Sequence, residues 1–106
     1  MFIGTADGKA QMISFTVRMK FAEADHDAVA EMLRKLTLAS RQEAGCVTYV
    51  SHFLAGDPGT VLIYEQYTDE AALEAHQNTP HFREYAEEGF YRLMRAQQIK
   101  YLDAIV

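Results

Sequence analysis

His76 is the residue best placed for proton chemistry in this chain. It follows Ala72 and Leu73 by four and three positions, so a helix there turns it to the same side as two apolar residues. A part-buried imidazole on that side titrates near neutral pH and can act as a base. His81 falls in the first turn of the next helical segment, where the helix dipole disfavours a cationic ring and leaves a neutral hydrogen-bonding group. Glu65 sits mid-strand among apolar neighbours; a buried carboxylate needs a partner, and Arg41, Arg18 or a histidine is expected beside it. Arg41 and Glu43 follow the first helix, where they can pair with each other. Alternatively, the planar fork of Arg41 can hold an anion. Tyr49 and His52 fall on opposite faces of one strand, so one of them, not both, is expected to look into a pocket.

Spacing argues against other chemistries. His76 and His81 are five apart across a helix break, with Glu65 as a third candidate, and no HxxxH or CxxC pattern accompanies them, so no metal is expected. No Gly-rich phosphate loop is present, so no nucleotide or flavin cofactor is expected. Cys46, the single cysteine, reads as a small packed apolar residue.

The elements that must position these groups follow from periodicity. Ile13, Phe15, Val17 and Met19 alternate with Ser14, Thr16, Arg18 and Lys20, a period-two strand with one apolar face. Asp25 is expected to cap a helix whose stripe is Val29, Met32, Leu33, Leu36 and Ser40, ending near Gly45. Cys46–Leu54 and Val61–Tyr67 read as strands, with a turn expected at Asp57-Pro58-Gly59. Asp69–His76 reads as a short helix. Thr79 caps the next, with Pro80 at its first position and Phe82, Tyr85, Ala86, Phe90, Leu93 and Met94 as its stripe. Gly89 within that stripe suggests a close backbone contact. Gln98–Val106 reads as the fourth strand. The order is β-α-β-β-α-β, an α+β ferredoxin-like plan with one antiparallel sheet and helices on one face. Residues 1–10 read as an N-terminal extension and 11–106 as one domain.

Strands two to four are apolar on both faces, and such strands are normally covered on both. A second copy of the same sheet is the expected second cover, making a homodimer. The chain has 106 residues, 49% hydrophobic and 24% charged, with net charge −5. That balance fits one folded domain. The deficit lies in the second half, where nine acids face four bases, the wrong sign for a nucleic-acid partner. No run approaches the roughly 20 apolar residues of a membrane helix. The lone cysteine fits a reducing, cytoplasmic setting.

Three segments carry a resemblance. Ser40-Arg41-Gln42-Glu43-Ala44-Gly45-Cys46-Val47-Thr48-Tyr49, then Tyr64-Glu65-Gln66-Tyr67, then Ala72-Leu73-Glu74-Ala75-His76-Gln77-Asn78-Thr79-Pro80-His81-Phe82 resemble, in order and spacing, the blocks of antibiotic biosynthesis monooxygenase domains. The resemblance implies a dimeric αβ barrel and a cofactor-independent monooxygenase that oxidises a hydroxyarene or quinol with O₂. It implies His76 as base with Arg41 or Tyr49 near the developing oxyanion, and His52, Tyr64, Glu65, Tyr67, His81 and Phe82 around the substrate. The haem-degrading relatives use a strand-one Asn and a Trp; here Ser14, Thr16 and Arg18 stand on that strand and no Trp exists. An isomerase of a small polar metabolite and a non-catalytic small-molecule-binding dimer remain open alternatives on the same scaffold.

Overall fold

The strict alternation of residues 13–20 becomes the inner strand of a four-stranded antiparallel sheet. In a computed structural model describing residues 12–106, β1 (Ile13–Lys20) is followed by α1 (His26–Ser40), β2 (Cys46–Leu54), β3 (Asp57–Tyr67), α2 (Glu70–Gln77) and β4 (Ala96–Leu102). The expected extension over residues 1–10 lies outside the described residues. The sheet order is β2-β3-β1-β4, the ferredoxin-like arrangement. Ile13, Phe15, Val17 and Met19 are buried, and they pair with Tyr67, Glu65, Ile63 and Val61 of β3. Paired residues share a face, so this side of the sheet meets α1, whose Val29, Leu33 and Leu36 close the core.

Several local expectations are corrected. Asp25 makes no side-chain cap; a single 3₁₀ turn, Glu23–Asp25, leads into α1 instead. The hairpin turns at Ala55-Gly56 rather than at Asp57-Pro58-Gly59, because Gly56 takes the left-handed conformation (φ +79°) that a two-residue turn needs. Asp57 then opens β3, accepting bonds from Gly59 N (3.1 Å) and Thr60 Oγ1 (2.6 Å). In β2 the register slips between Cys46 and Thr48. This bulge leaves Val47 exposed, whereas Cys46 packs against the core.

The second long helix is not continuous. Residues Phe82–Glu87 form a π turn, with Glu88 N bonding to Arg83 O at 2.8 Å, and Phe90–Arg92 form a 3₁₀ turn. Gly89 joins the two, and a Cβ there would collide with the carbonyl of Tyr85, the close approach that its position suggested. The apolar stripe still packs inward, with Ala86 and Phe90 buried. The fourth strand begins and ends earlier than its pattern suggests, at Ala96 and Leu102, and every residue in it is exposed.

Candidate functional site

The helix-facing side of the sheet carries a buried polar cluster at its centre. Glu65, in mid-strand, pairs across to Phe15 of β1 and Tyr49 of β2, so all three project to the same side. Its partner is neither Arg41 nor Arg18. Tyr67, two residues on and therefore on the same face, donates its hydroxyl to Glu65 Oε1 at 2.6 Å. Burial pushes the Glu65 carboxyl up to about 7, against the lowering effect of that bond. Burial also raises the Tyr49 and Tyr67 phenols well above the usual tyrosine range, and the nearby Glu65 raises them further.

α2 brings His76 over this cluster. The Asp69 carboxylate caps the helix by accepting from Ala72 N at 2.8 Å. The helix can approach the start of β2 because residue 45 is glycine; a Cβ there would occupy the space of the Ala72 methyl. His76 is 2% exposed. Its ring lies 5.7 Å from Tyr49, 5.2 Å from Tyr67 and 5.2 Å from Phe82, an aromatic cage. Its Nε2 is 3.9 Å from Glu65 Oε1.

Glu43, at the corner between α1 and β2, holds the other ring nitrogen. His76 Nδ1 is 2.9 Å from Glu43 Oε2, and His81 Nε2 is 2.6 Å from the same oxygen. A carboxylate accepts, so the proton of His76 sits on Nδ1 and the Nε2 lone pair faces the cage. Burial lowers the His76 pKa, while the bond and charge of Glu43 oppose the shift. Thr79 fixes the approach of His81: its hydroxyl donates to His76 O at 2.8 Å and accepts from Phe82 N at 3.1 Å.

Tyr49, Glu65, Tyr67, His76, His81 and Phe82 therefore come together, and three other candidates do not join them. Arg41 is exposed and its Nε donates to the Tyr49 carbonyl at 2.9 Å. It lines a groove between α1 and β2, of about 250 Å³, with Thr37, Ser51 and Phe53. The expected Arg41–Glu43 pair gives way to the two histidines. His52 and Tyr64 alternate with the buried residues of their strands, so they lie on the opposite face. His52 Nδ1 bonds to Leu62 O at 2.9 Å.

Two members were not singled out for the site by sequence. Glu43 was assigned to a salt bridge, because its real partners lie 33 and 38 residues away and only the fold brings them together. Tyr91, packed edge-on against Phe82 at 6.0 Å, has no spacing signal. The cage is closed around His76, and the partly exposed His81, Phe82 and Tyr91 mark its accessible side.

Residues 12–88 match the family model for antibiotic biosynthesis monooxygenase. A solved structure of PA3566 from Pseudomonas aeruginosa superposes with a TM-score of 0.83 at 32% identity, covering 92% of this chain and 97% of that one. A crystal structure described as an antibiotic biosynthesis monooxygenase gives 0.81 at 24% identity, covering 89% and 99%; that likeness shows the fold alone. An uncharacterized Synechocystis protein, sll1783, is 33% identical over 61 residues, which span 58% of this chain and 42% of that relative. The matched segment is thus less than half of the curated relative's length. No helix among the described residues is long and apolar enough to cross a membrane.

Proposed function

The chain belongs to the antibiotic biosynthesis monooxygenase family, and from that premise we propose that it is a cofactor-independent monooxygenase of electron-rich hydroxyarenes or quinols. The observation that carries this reading is the direction of His76. Glu43 holds the proton on Nδ1, which leaves the Nε2 lone pair directed into a water-poor aromatic cage.

The closed cage opens to substrate by side-chain movement of the partly exposed Phe82 and Tyr91; a phenolic edge then gives its proton to Nε2, and Glu43 stabilises the imidazolium that forms, a charge-assisted bond in a low-dielectric setting. The phenolate then passes one electron to O₂. Radical recombination at a ring carbon that still bears hydrogen forms a peroxide, and His76 returns the proton to it. Loss of water leaves the quinone carbonyl. Atoms balance as substrate plus O₂ giving product plus water. The Tyr49 hydroxyl is a donor for the developing oxyanion. Arg41 acts one step removed, holding the Tyr49 backbone through its carbonyl, and is a positioning residue. Glu65 and Tyr67 form the cage wall.

In this reading the working unit is a homodimer in which the open sheet faces cover each other. The half-buried Val50, Leu62 and Tyr64 on that face support it. The free thiol of Cys46 fits a cytoplasmic setting.

The test is O₂ uptake with anthrones, naphthohydroquinones and catechols, without added flavin and in the presence of EDTA. His76→Ala is expected to lower kcat by roughly 10²–10⁴-fold, the usual worth of a positioned base. Phe82→Ala is expected to raise KM more than it lowers kcat. Equal turnover by wild type and His76→Ala overturns the assignment.

A further inference from the structure

We propose that Glu43, His76 and His81 also form a binding site for a divalent first-row transition-metal ion of the Zn²⁺ type, and that occupancy withdraws the His76 lone pair from the cage. Each residue offers one ligand atom, and the three atoms lie within 4.8 Å of one another. Around an ion with bonds of about 2.0–2.1 Å in tetrahedral geometry, ligand atoms stand about 3.3 Å apart. The two edges through Glu43 Oε2 measure 2.9 and 2.6 Å and need to open by less than an ångström, while the third, between the two histidine nitrogens, lies within 4.8 Å and adjusts by turning the part-exposed His81 ring.

Two imidazoles and one carboxylate are a borderline donor set suited to Zn²⁺ and its neighbours in the series. The three residues come from separate segments whose packing is fixed by Gly45 against Ala72 and by the Thr79 bonds. Glu43 and His81 are partly exposed, which leaves a fourth coordination position on the accessible side. The outer shell fits as well. A neutral histidine that ligates through Nδ1 must carry its proton on Nε2, and ligating histidines usually direct that N–H at a carboxylate. Glu65 Oε1 stands 3.9 Å from Nε2, held by Tyr67. Among the described residues, the ion pairs of Glu43 and Glu65 are made to histidines alone, so no lysine or arginine occupies the cation's place.

The site predicts a tautomer exchange. Without metal, the proton is on Nδ1 and bonded to Glu43; with metal, the ion takes Nδ1 and the proton moves to Nε2. The base is then disabled, and zinc is an inhibitor. This last consequence rests on the oxygenase reading; the site itself does not.

The experiment titrates ZnCl₂ into the EDTA-treated, dialysed protein, read by calorimetry and by ¹⁵N imidazole NMR. One ion per chain is expected, with the His76 proton signal passing from Nδ1 to Nε2 at one equivalent. Glu43→Gln, which keeps the side-chain shape, and His81→Ala, at a partly exposed position, are each expected to weaken binding by at least ~10-fold, while thermal melts report whether they fold. Absence of stoichiometric binding, or binding unchanged in both folded variants, overturns the site. Turnover that depends on His76 yet is unaffected by saturating Zn²⁺ overturns the exchange. Zinc binding of this kind in a protein that consumes no O₂ with any hydroquinone leaves the site standing and removes the oxygenase reading instead.

Discussion

On the helix side of the sheet, Glu65 and Tyr67 of β3 are buried with His76 and Tyr49 in a closed layer. One residue along the same strand, Tyr64 and Gln66 face the other way, half-buried. The two faces share a backbone and differ in everything else. The helix side holds titratable groups out of water, where burial moves the Glu65 carboxyl to about 7; the open side mixes Leu62, Tyr64 and Val50 with Thr16, Gln66 and His52. Period two thus puts the buried titratable groups on one face of a strand and a mixed apolar and polar surface on the other, and the proposed chemistry and the proposed dimer draw on different faces.

Adjacent residues can break that comparison most sharply. Ile63→Asp places a charge in the core, and Leu62→Asp places one on the open face. Ile63→Asp is expected to abolish folding, since an unpaired buried charge costs several kcal/mol. Leu62→Asp is expected to retain a native circular dichroism spectrum and to shift sedimentation from twice the chain mass of 12.0 kDa to the chain mass itself. A wild-type protein that sediments at 12.0 kDa removes the dimer.

The next effect belongs to the helix side and concerns pH. The Glu65 carboxyl ionises near 4.5 when the chain is unfolded and near 7 when folded. Between these values the folded state binds the extra proton, so stability falls as pH rises. Wild type is therefore expected to lose stability relative to Glu65→Gln between about pH 4.5 and 7, by on the order of 3 kcal/mol, and to run parallel to it outside that window. Taking the difference from Glu65→Gln cancels the opposing contribution of His76, whose lowered pKa costs stability as pH falls through its ordinary range. Denaturant midpoints across pH check this; a constant difference refutes it.

Gly45→Ala probes how the helix reaches the sheet. The added methyl meets the Ala72 side chain, so α2 must shift. Overpacking of this kind typically costs about 1–3 kcal/mol, and the displacement of His76 from Glu43 should lower kcat beyond what the stability loss explains. Denaturant melts together with turnover separate the two effects.

Much of this layout was legible in the sequence, because it depends on local periods. The alternation of residues 13–19 and the stripe Val29, Leu33, Leu36 set their own faces, and the spacing of Ala72, Leu73 and His76 correctly turned the imidazole inward. The hairpin turn was misplaced because Asp57-Pro58-Gly59 carries strong turn chemistry, while the turn itself needs one residue with positive φ, which Gly56 provides. A bulge resets the alternation of β2 at Cys46 and leaves Val47 exposed, and no residue type announces it. The link from Glu43 to His76 and His81 was out of reach for a different reason. It spans 33 and 38 residues and exists only once α2 packs on the corner before β2.

The smallest effect lies at that same corner. Ser40 ends α1, is fully buried, and its Oγ has no hydrogen-bond partner among the described residues. A buried hydroxyl without a partner carries a desolvation cost that the unfolded chain avoids by bonding to water. Ser40→Ala removes the hydroxyl, leaves a void of one oxygen, and adds helix propensity at the last turn. Stability is therefore expected to rise by up to about 1 kcal/mol, seen as a higher denaturant midpoint with unchanged slope. Turnover should stay at the wild-type level, because among the described residues the Ser40 hydroxyl makes no hydrogen bond to the cage or to Glu43's carboxylate, and the backbone bond from Glu43 N to Ser40 O survives the substitution. A loss of more than about 1 kcal/mol would instead mean that the hydroxyl has a partner, and the corner that holds Glu43 would then be built by a polar contact rather than by packing alone.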